Sequence, residues 1–270
     1  MISRSHPVAR RLRALRKDPA LRASEGVFVA EGTHLAEEAL ASFAEVEVAV
    51  VGAGLGESAA GRTLWQRMRE SGITVEQAAD ATMAGLQDAR SPQPVVLVCR
   101  RKIWSLRDVV SGRGRAPLVV VACGVQDPGN LGALMRTAEA AGATGFAAAS
   151  GSADVLHPRA VRATMGAIFR MPATEAPLDD ILDGAEVAGL RLVGADARVG
   201  DSYDGWAWTS PLALLLGAEG SGLPDRARRR IAAHVRIPMA PGIESLSVGA
   251  AAAVLLFEAA RARRGVSRAG

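Results

Sequence analysis

The sequence predicts an α/β protein, a small α/β domain followed by a larger α/β domain with a parallel sheet. Three observations lead there. Short β-branched apolar runs of strand length alternate with helix-length segments from one end of the chain to the other. The alternation breaks at RRKIWSLRDVVSGRGRAP (100–117), where Gly, Ser and Arg replace it. At 270 residues the chain is long enough for one large core or two ordinary ones. The first domain is therefore placed at 1–105, a linker at 106–116 and the second domain at 117–270.

In the first domain a helix is expected at 7–16, then the strand VFVAEG (27–32), a helix from Thr33, and the strand EVEVAVV (45–51). A helix at 61–70, a short strand at 73–75 and the strand PVVLVCR (94–100) complete it. In the second domain LVVVAC (118–123) is a β-branched run of strand length. DPGNLGALMRTAEAAGA (127–143) follows as a tight turn and a helix that stops at Gly142. Further strands are expected near 145–149, 169–173, 190–195, 212–217 and 235–237, alternating with helices. LLLGAEGSGLP (214–224) reads as an apolar strand, a glycine-rich loop and a Pro-started helix. IPMAPGIESLSVGAAAAVLLFEAAR (237–261) reads as a short strand, a loop and a long Ala-rich helix beginning near Ser245–Ser247. No repeat at a solenoid period is visible.

Composition narrows the classes. Hydrophobic residues make up 49% and charged residues 22%, as in a globular protein. No apolar run reaches the length of a membrane span, and the Arg-rich start lacks the apolar core of a signal peptide, so a cytoplasmic address is expected. Cys99 and Cys123 both end apolar runs, with no Cys-x-x-Cys and no His at ligand spacing; they read as reduced core residues, and no metal site is expected. The net charge of +4 conceals clustering. Residues 1–22 hold seven basic residues against Asp18, residues 100–115 hold six against Asp108, and RARRR with Arg236 forms a third group. That pattern suits a polyanion binder, set against an Arg-biased solvated surface, and aromatics at 4% provide no stacking stripe. GAGLGES (52–58) resembles a dinucleotide-binding turn, but residue 57 is Glu where a third glycine is needed. His6, His34, His157 and His234 have no assigned role.

Strand-to-helix turns in open α/β sheets lie at the carboxyl ends of the strands, where ligands bind. Asn130 has two readings there, a helix N-cap or an amide offered to a ligand. Arg136, about 9 Å further along the helix axis, reads either as a surface ion pair with Glu139 or as a site residue. Three such turns, with Asn130, Arg136, Glu219 and Ser245 as polar members, point to one converging site.

Taken in order, NLGALMRTA (130–138), GAEGSGL (217–223), IPM (237–239) and ESLSV (244–248) resemble the three motifs of the SpoU (TrmH) branch of the SPOUT methyltransferases. VRATMGAIFRMP (161–172) resembles the stretch that joins the first two motifs, and GVFVAEGTHLAEEAL (26–40) is similar to the ribosomal-protein-like substrate-binding domain of ribosomal RNA members. The resemblance implies a SPOUT domain with a C-terminal trefoil knot, an exception to the rule against knots. It also implies a homodimeric 2′-O-ribose methyltransferase that uses S-adenosylmethionine and acts on RNA, ribosomal RNA of the 23S type first. Transfer RNA, or an RNA-binding assembly protein that has kept the fold without turnover, are the alternatives. Carried over by position, Gly217, Ile237 and Leu246 hold the adenosyl part, with Leu216 and Ser247 also cofactor-binding, and Asn130, Arg136, Glu219 and Ser245 frame the reacting ribose. The chain departs from the family's Ser-Leu-Asn-Val at Ser247, which keeps a donor and an acceptor on a shorter side chain.

Overall fold

The computed structural model describes residues 1–87 and 92–266. The chain forms two compact units: Met1–Lys102 with Asp154–Arg170, and Ile103–Ala153 with the chain from Met171 onward.

The first unit opens with α1 (Pro7–Lys17), which has Pro7 in its first turn and buries Ala9, Leu12 and Leu15. Asp18 caps α2 (Pro19–Glu25), its Oδ1 accepting from the Ala20 and Leu21 N–H groups. Then follow β1 (Val27–Glu31), α3 (Thr33–Ala41), β2 (Val46–Val51), α4 (Ala59–Glu70), β3 (Thr74–Gln77), α5 (Asp80–Leu86) and β4 (Val95–Arg100). The sheet runs β1-β4-β2-β3, with β4 antiparallel to both neighbours and β3 parallel to β2. Val27, Val29, Val48, Val50, Val96 and Val98 meet Leu12 and Leu15 of α1 in its core.

The second unit contains α6 (Leu106–Val110), β5 (Leu118–Cys123), α7 (Pro128–Ala140) and β6 (Gly145–Ala149). The chain then leaves for the first unit as α8 (Pro158–Ala163) and α9 (Ala167–Arg170). It returns as β7 (Ala173–Ala176), α10 (Leu178–Val187), β8 (Arg191–Ala195), β9 (Asp201–Ser202), β10 (Leu212–Gly217), α11 (Asp225–Arg228), β11 (Ala233–Arg236) and α12 (Val248–Val266). All seven strands pair in parallel, in the order β7-β6-β5-β10-β8-β11-β9. Strands buried on both faces explain the near-continuous apolar runs LVVVAC and LALLL.

Three expectations change. The stretch 106–116 is not a bare linker: Ser105 and Asp108 form a capping box on α6, which buries Val109 and Val110 in the second unit's core. The strand expected near 169–173 starts only at Ala173; its apolar residues belong to α9, where Phe169 packs on Phe28 with ring centroids 5.8 Å apart. Around α8 and α9, three ion pairs lie within the first unit, Arg22 with Asp154, Arg162 with Glu31 at 3.0 Å, and Arg170 with Glu38. Finally, most of the basic N-terminus is engaged internally. Arg4 donates to the Ala81 carbonyl, Arg11 pairs with Glu25 and Glu47, Arg13 donates to Arg4, Arg16 donates to Gln87, and Arg22 is buried.

Among the described residues no helix is long and apolar enough to cross a membrane, and no cluster of His, Cys, Asp or Glu could hold a metal ion. Both cysteines are free and buried. Burial pushes the Cys123 thiol up to about 12, and burial, with the Glu47 charge, raises Cys99 well above its ordinary range. The native protein at pH 8 is therefore expected to react with a thiol reagent far more slowly than a free thiol. Both cysteines should titrate at full rate once the chain is denatured; rapid labelling of the native protein would contradict this.

Candidate active site at the carboxyl edge of the parallel sheet

The site begins at the end of β10. A Cβ on Gly217 would lie 2.2 Å from the Gly222 carbonyl carbon and 2.4 Å from the Leu223 nitrogen, so only glycine lets the two backbones touch. The intervening loop closes on itself: the Ala218 N–H donates to the Gly222 carbonyl at 3.2 Å, and the Gly222 N–H to the Ala218 carbonyl at 2.9 Å. Gly220 and Gly222 take positive φ. This fold-back leaves Glu219 exposed at its tip.

α7 starts beside it. Asp127 is the N-cap, its Oδ1 accepting from the Asn130 N–H at 2.9 Å, with Pro128 in the first turn. Asn130 is therefore not the cap. It sits inside the first turn, and its Nδ2 donates to Glu219 Oε1 at 3.0 Å. Two of the three predicted turns thus meet through one hydrogen bond.

The third turn is the loop 237–247 and the start of α12. Ser247 occupies the N-cap position: its Oγ accepts from the Ala250 N–H at 3.3 Å and its carbonyl from the Ala251 N–H at 2.9 Å. Ser and Asn are about equally good in that role, so the departure from the family motif preserves the local structure.

These elements enclose a cavity of about 770 Å³, within the range of small-molecule sites. Leu216, Gly217, Glu219, Ile237, Ser245, Leu246 and Ser247 all line it. Asn130 joins through Glu219. Arg136 does not line it: six residues beyond Asn130 it is about 9 Å along α7 and about two thirds of a turn round the axis. It is exposed, and no hydrogen bond or ion pair engages it among the described residues, the pair with Glu139 included.

Sequence reasoning missed the wall supplied by residues 195–199 and Arg228. Asp196 follows β8 directly and pairs with Arg228 at 2.9 Å, while its Oδ1 accepts from the N–H groups of Arg198 (2.9 Å) and Val199 (3.3 Å). Burial alone would raise its pKa, but these hydrogen bonds and the guanidinium hold the carboxyl below the usual range. Gly200 (φ +108) ends this loop against β11, where a Cβ would lie 2.3 Å from the His234 carbonyl oxygen. The signal was its place: an acid immediately after a central parallel strand. The RARRR group is likewise engaged, Arg226 with Asp179, Arg228 with Asp196, and Arg230 with Asp183 and Glu186. Of the histidines, His6 and His157 cap α1 and α8.

The cavity suits a cofactor that is part apolar and part cationic. Leu216, Ile237, Leu246, Val248 and Leu255 supply apolar walls. Glu219 and Glu244 are carboxylates of the lining, besides Asp196, which Arg228 already neutralises.

A parallel α/β sheet with such a cavity at the carboxyl ends of its strands has the build of a ligand-binding α/β enzyme. The chain belongs to the SpoU rRNA methylase family, whose profile matches residues 117–257; the profile of the MRM3-like substrate binding domain matches residues 7–97. It is 28% identical to 23S rRNA (guanosine(2553)-2′-O)-methyltransferase RlmP of Bacillus subtilis, over 87% of this chain and 89% of that protein. It is 32% identical to 23S rRNA (guanosine-2′-O-)-methyltransferase RlmB of Pseudomonas putida, over 75% and 83%. Among solved structures, the AdoMet-bound rRNA methyltransferase from Sinorhizobium meliloti superposes with a TM-score of 0.84 at 29% identity, covering 97% of each chain. The SpoU methyltransferase AviRb from Streptomyces viridochromogenes, in complex with AdoMet, gives 0.83 at 28% identity, covering 96% of this chain and 98% of that one.

Because the folded carboxyl of Asp196 lies below its unfolded value of about 3.9, the pair adds stability above that pH and loses it as pH falls through the folded pKa. Asp196→Asn is expected to destabilise the protein at pH 7 by about 1 kcal/mol, a partly exposed pair being worth little more. Once the pH has fallen below the folded pKa of Asp196, the variant and the wild type should melt together. A gap in melting temperature that persists at low pH would rule out a charge effect.

Proposed function

We propose that the chain is an S-adenosylmethionine-dependent methyltransferase that modifies a ribose 2′-hydroxyl of 23S ribosomal RNA in the cytoplasm. The observation that carries this reading is the Asn130–Glu219 hydrogen bond at the edge of a cavity suited to the cofactor, in a chain of this family.

When bound, S-adenosylmethionine supplies an electrophilic methyl group on a positively charged sulfur. Gly217, Ile237 and Leu246 hold the adenosyl part, with Leu216 and Ser247 beside them, and the carboxylates of Glu219 and Glu244 offset its positive charge. Asn130 orients Glu219 by donating to Oε1, which leaves Oε2 free to accept the proton that the hydroxyl must lose. Ser245 frames the ribose from the loop 237–247. Arg136 orients the hydroxyl and its adjacent phosphate and stabilises the oxygen as negative charge develops.

Arg136 is exposed on α7, away from its own chain's cavity, so a second copy completes the site and the active form is a homodimer. The exposed Phe257 on α12 supports a covered face there. The trefoil knot is part of the same reading. Its support is that α12 packs on α7 and that Arg263 ties α12 to the carbonyls of Ala116, Pro117, Trp208 and Ser210. Transfer RNA is the weaker substrate, given the substrate-binding profile over 7–97 and relatives named for 23S ribosomal RNA.

Three outcomes are expected. With labelled S-adenosylmethionine and 23S ribosomal RNA, the label should appear in an alkali-stable dinucleotide, since a 2′-O-methyl group blocks cleavage of the neighbouring phosphodiester; label in alkali-released mononucleotides would place the methyl on a base. In the same assay Arg136→Ala should lose about 3–4 kcal/mol of transition-state stabilisation with cofactor affinity unchanged, and Arg136→Lys should recover only part of the rate. A wild-type rate in Arg136→Ala would make the residue part of the solvated surface. Light scattering should give twice the chain mass for the wild type and half that value for Phe257→Glu; a monomeric wild type would remove the dimer.

A further inference from the structure

The first unit carries a hollow of its own. α4 presents Arg62, Trp65, Gln66 and Arg69 on one side, spaced i, i+3, i+4 and i+7, while Gly61, Leu64 and Met68 are buried. Arg62, Trp65, Gln66 and Arg69, with Gly56 and Glu70, line an open hollow of about 770 Å³. Trp65 is half-buried, so part of its indole remains open to a ligand. Arg62, three residues before Trp65, is held by its Nη1, which donates to the Gly56 carbonyl at 2.9 Å and the Glu57 carbonyl at 3.3 Å. Arg69 and its neighbour Arg67 are exposed, and neither guanidinium has a hydrogen bond or ion pair among the described residues. That sets this face apart from α1, whose guanidinium groups are largely engaged within the unit. At the rim, Gln66 Nε2 donates to Glu70 Oε1 at 2.7 Å, leaving an amide oxygen and a carboxylate oxygen for a base edge.

We propose that this hollow is a nucleobase site for single-stranded RNA: one base stacks on Trp65, and the flanking phosphates lie on Arg62 and Arg69. An aromatic face with a cation on either side is the arrangement by which proteins hold single strands with little sequence preference. The proposal rests on the reading of the chain as an RNA methyltransferase and names the surface with which its substrate-binding part grips the strand. Glu70 limits the net positive charge, so the site depends on stacking as much as on phosphate contact.

The test uses the full chain and a fluorescein-labelled, unstructured 12-nucleotide RNA of mixed sequence, with binding followed by anisotropy. Trp65→Leu should weaken binding by about 5- to 150-fold, the range for losing one stacked base, and Trp65→Phe should recover most of it. Arg69→Ala, at an exposed position that leaves folding intact, should reduce the slope of log affinity against log salt by about 0.7, one single-strand phosphate contact. Cofactor affinity should be the same in all three variants. Wild-type affinity in both Trp65→Leu and Arg69→Ala overturns the site, as does failure of the wild type to bind the oligonucleotide. A wild type that binds this RNA through Trp65 but transfers no methyl to 23S ribosomal RNA would support the site and sink the enzyme reading instead.

Discussion

The contact on which the candidate site depends is between two stretches of backbone, Gly217 at the end of β10 and Gly222–Leu223 five residues later. Any side chain at position 217 would force them apart. Their approach turns the chain back within one loop, places Glu219 at the tip within reach of Asn130, and leaves Leu216 and Gly217 open to the cavity. The neighbouring parallel strands repeat the device in weaker form. After β8, Asp196 gathers two backbone N–H groups and Gly200 closes the loop against β11. The cavity is thus built from ends of strands whose positions the sheet already sets, with few side chains charged with holding its shape.

Much of this was legible because each strand-turn-helix junction carries its own local signal. LVVVAC, LALLL and the Ala-rich α12 sit where their periodicity placed them. Of the two readings open for Asn130, the structure removes the cap, and the information was present: proline fits the first helical position, so the residue before Pro128, Asp127, is the cap. The capping box Ser105–Asp108 was hidden in the same way by the surrounding Arg and Gly. The segment at 167–170 misled for another reason. Its apolar residues pack as a helix on the first unit, on Phe28, a partner far away in sequence that no local pattern announces.

Charge was the least legible property. Counting basic residues along the chain marked the N-terminus and the RARRR group, yet the acids that engage them lie tens of residues away, as in Arg11–Glu47, Arg22–Asp154 and Arg228–Asp196. Which cations remain free is decided by folding. On α4 the arginines are fewer but helical spacing sets them around an aromatic ring, and a composition of 4% aromatics gave no reason to look there.

The excursion of residues 154–170 into the first unit has a bearing on how the protein is made. β1 packs against α8, and buried Arg22 and Glu31 find their charged partners in Asp154 and Arg162. While the ribosome is still extending the chain past Lys102, the first unit has its whole sheet but neither of these counter-charges. It must wait several seconds at ordinary synthesis rates, during which Arg22 and Glu31 are without the ion pairs that Asp154 and Arg162 supply. Its completion is therefore tied to the emergence of β5, α7 and β6, and the two units mature as interleaved steps of one process, where a simple pair of beads on a string would finish one before starting the next.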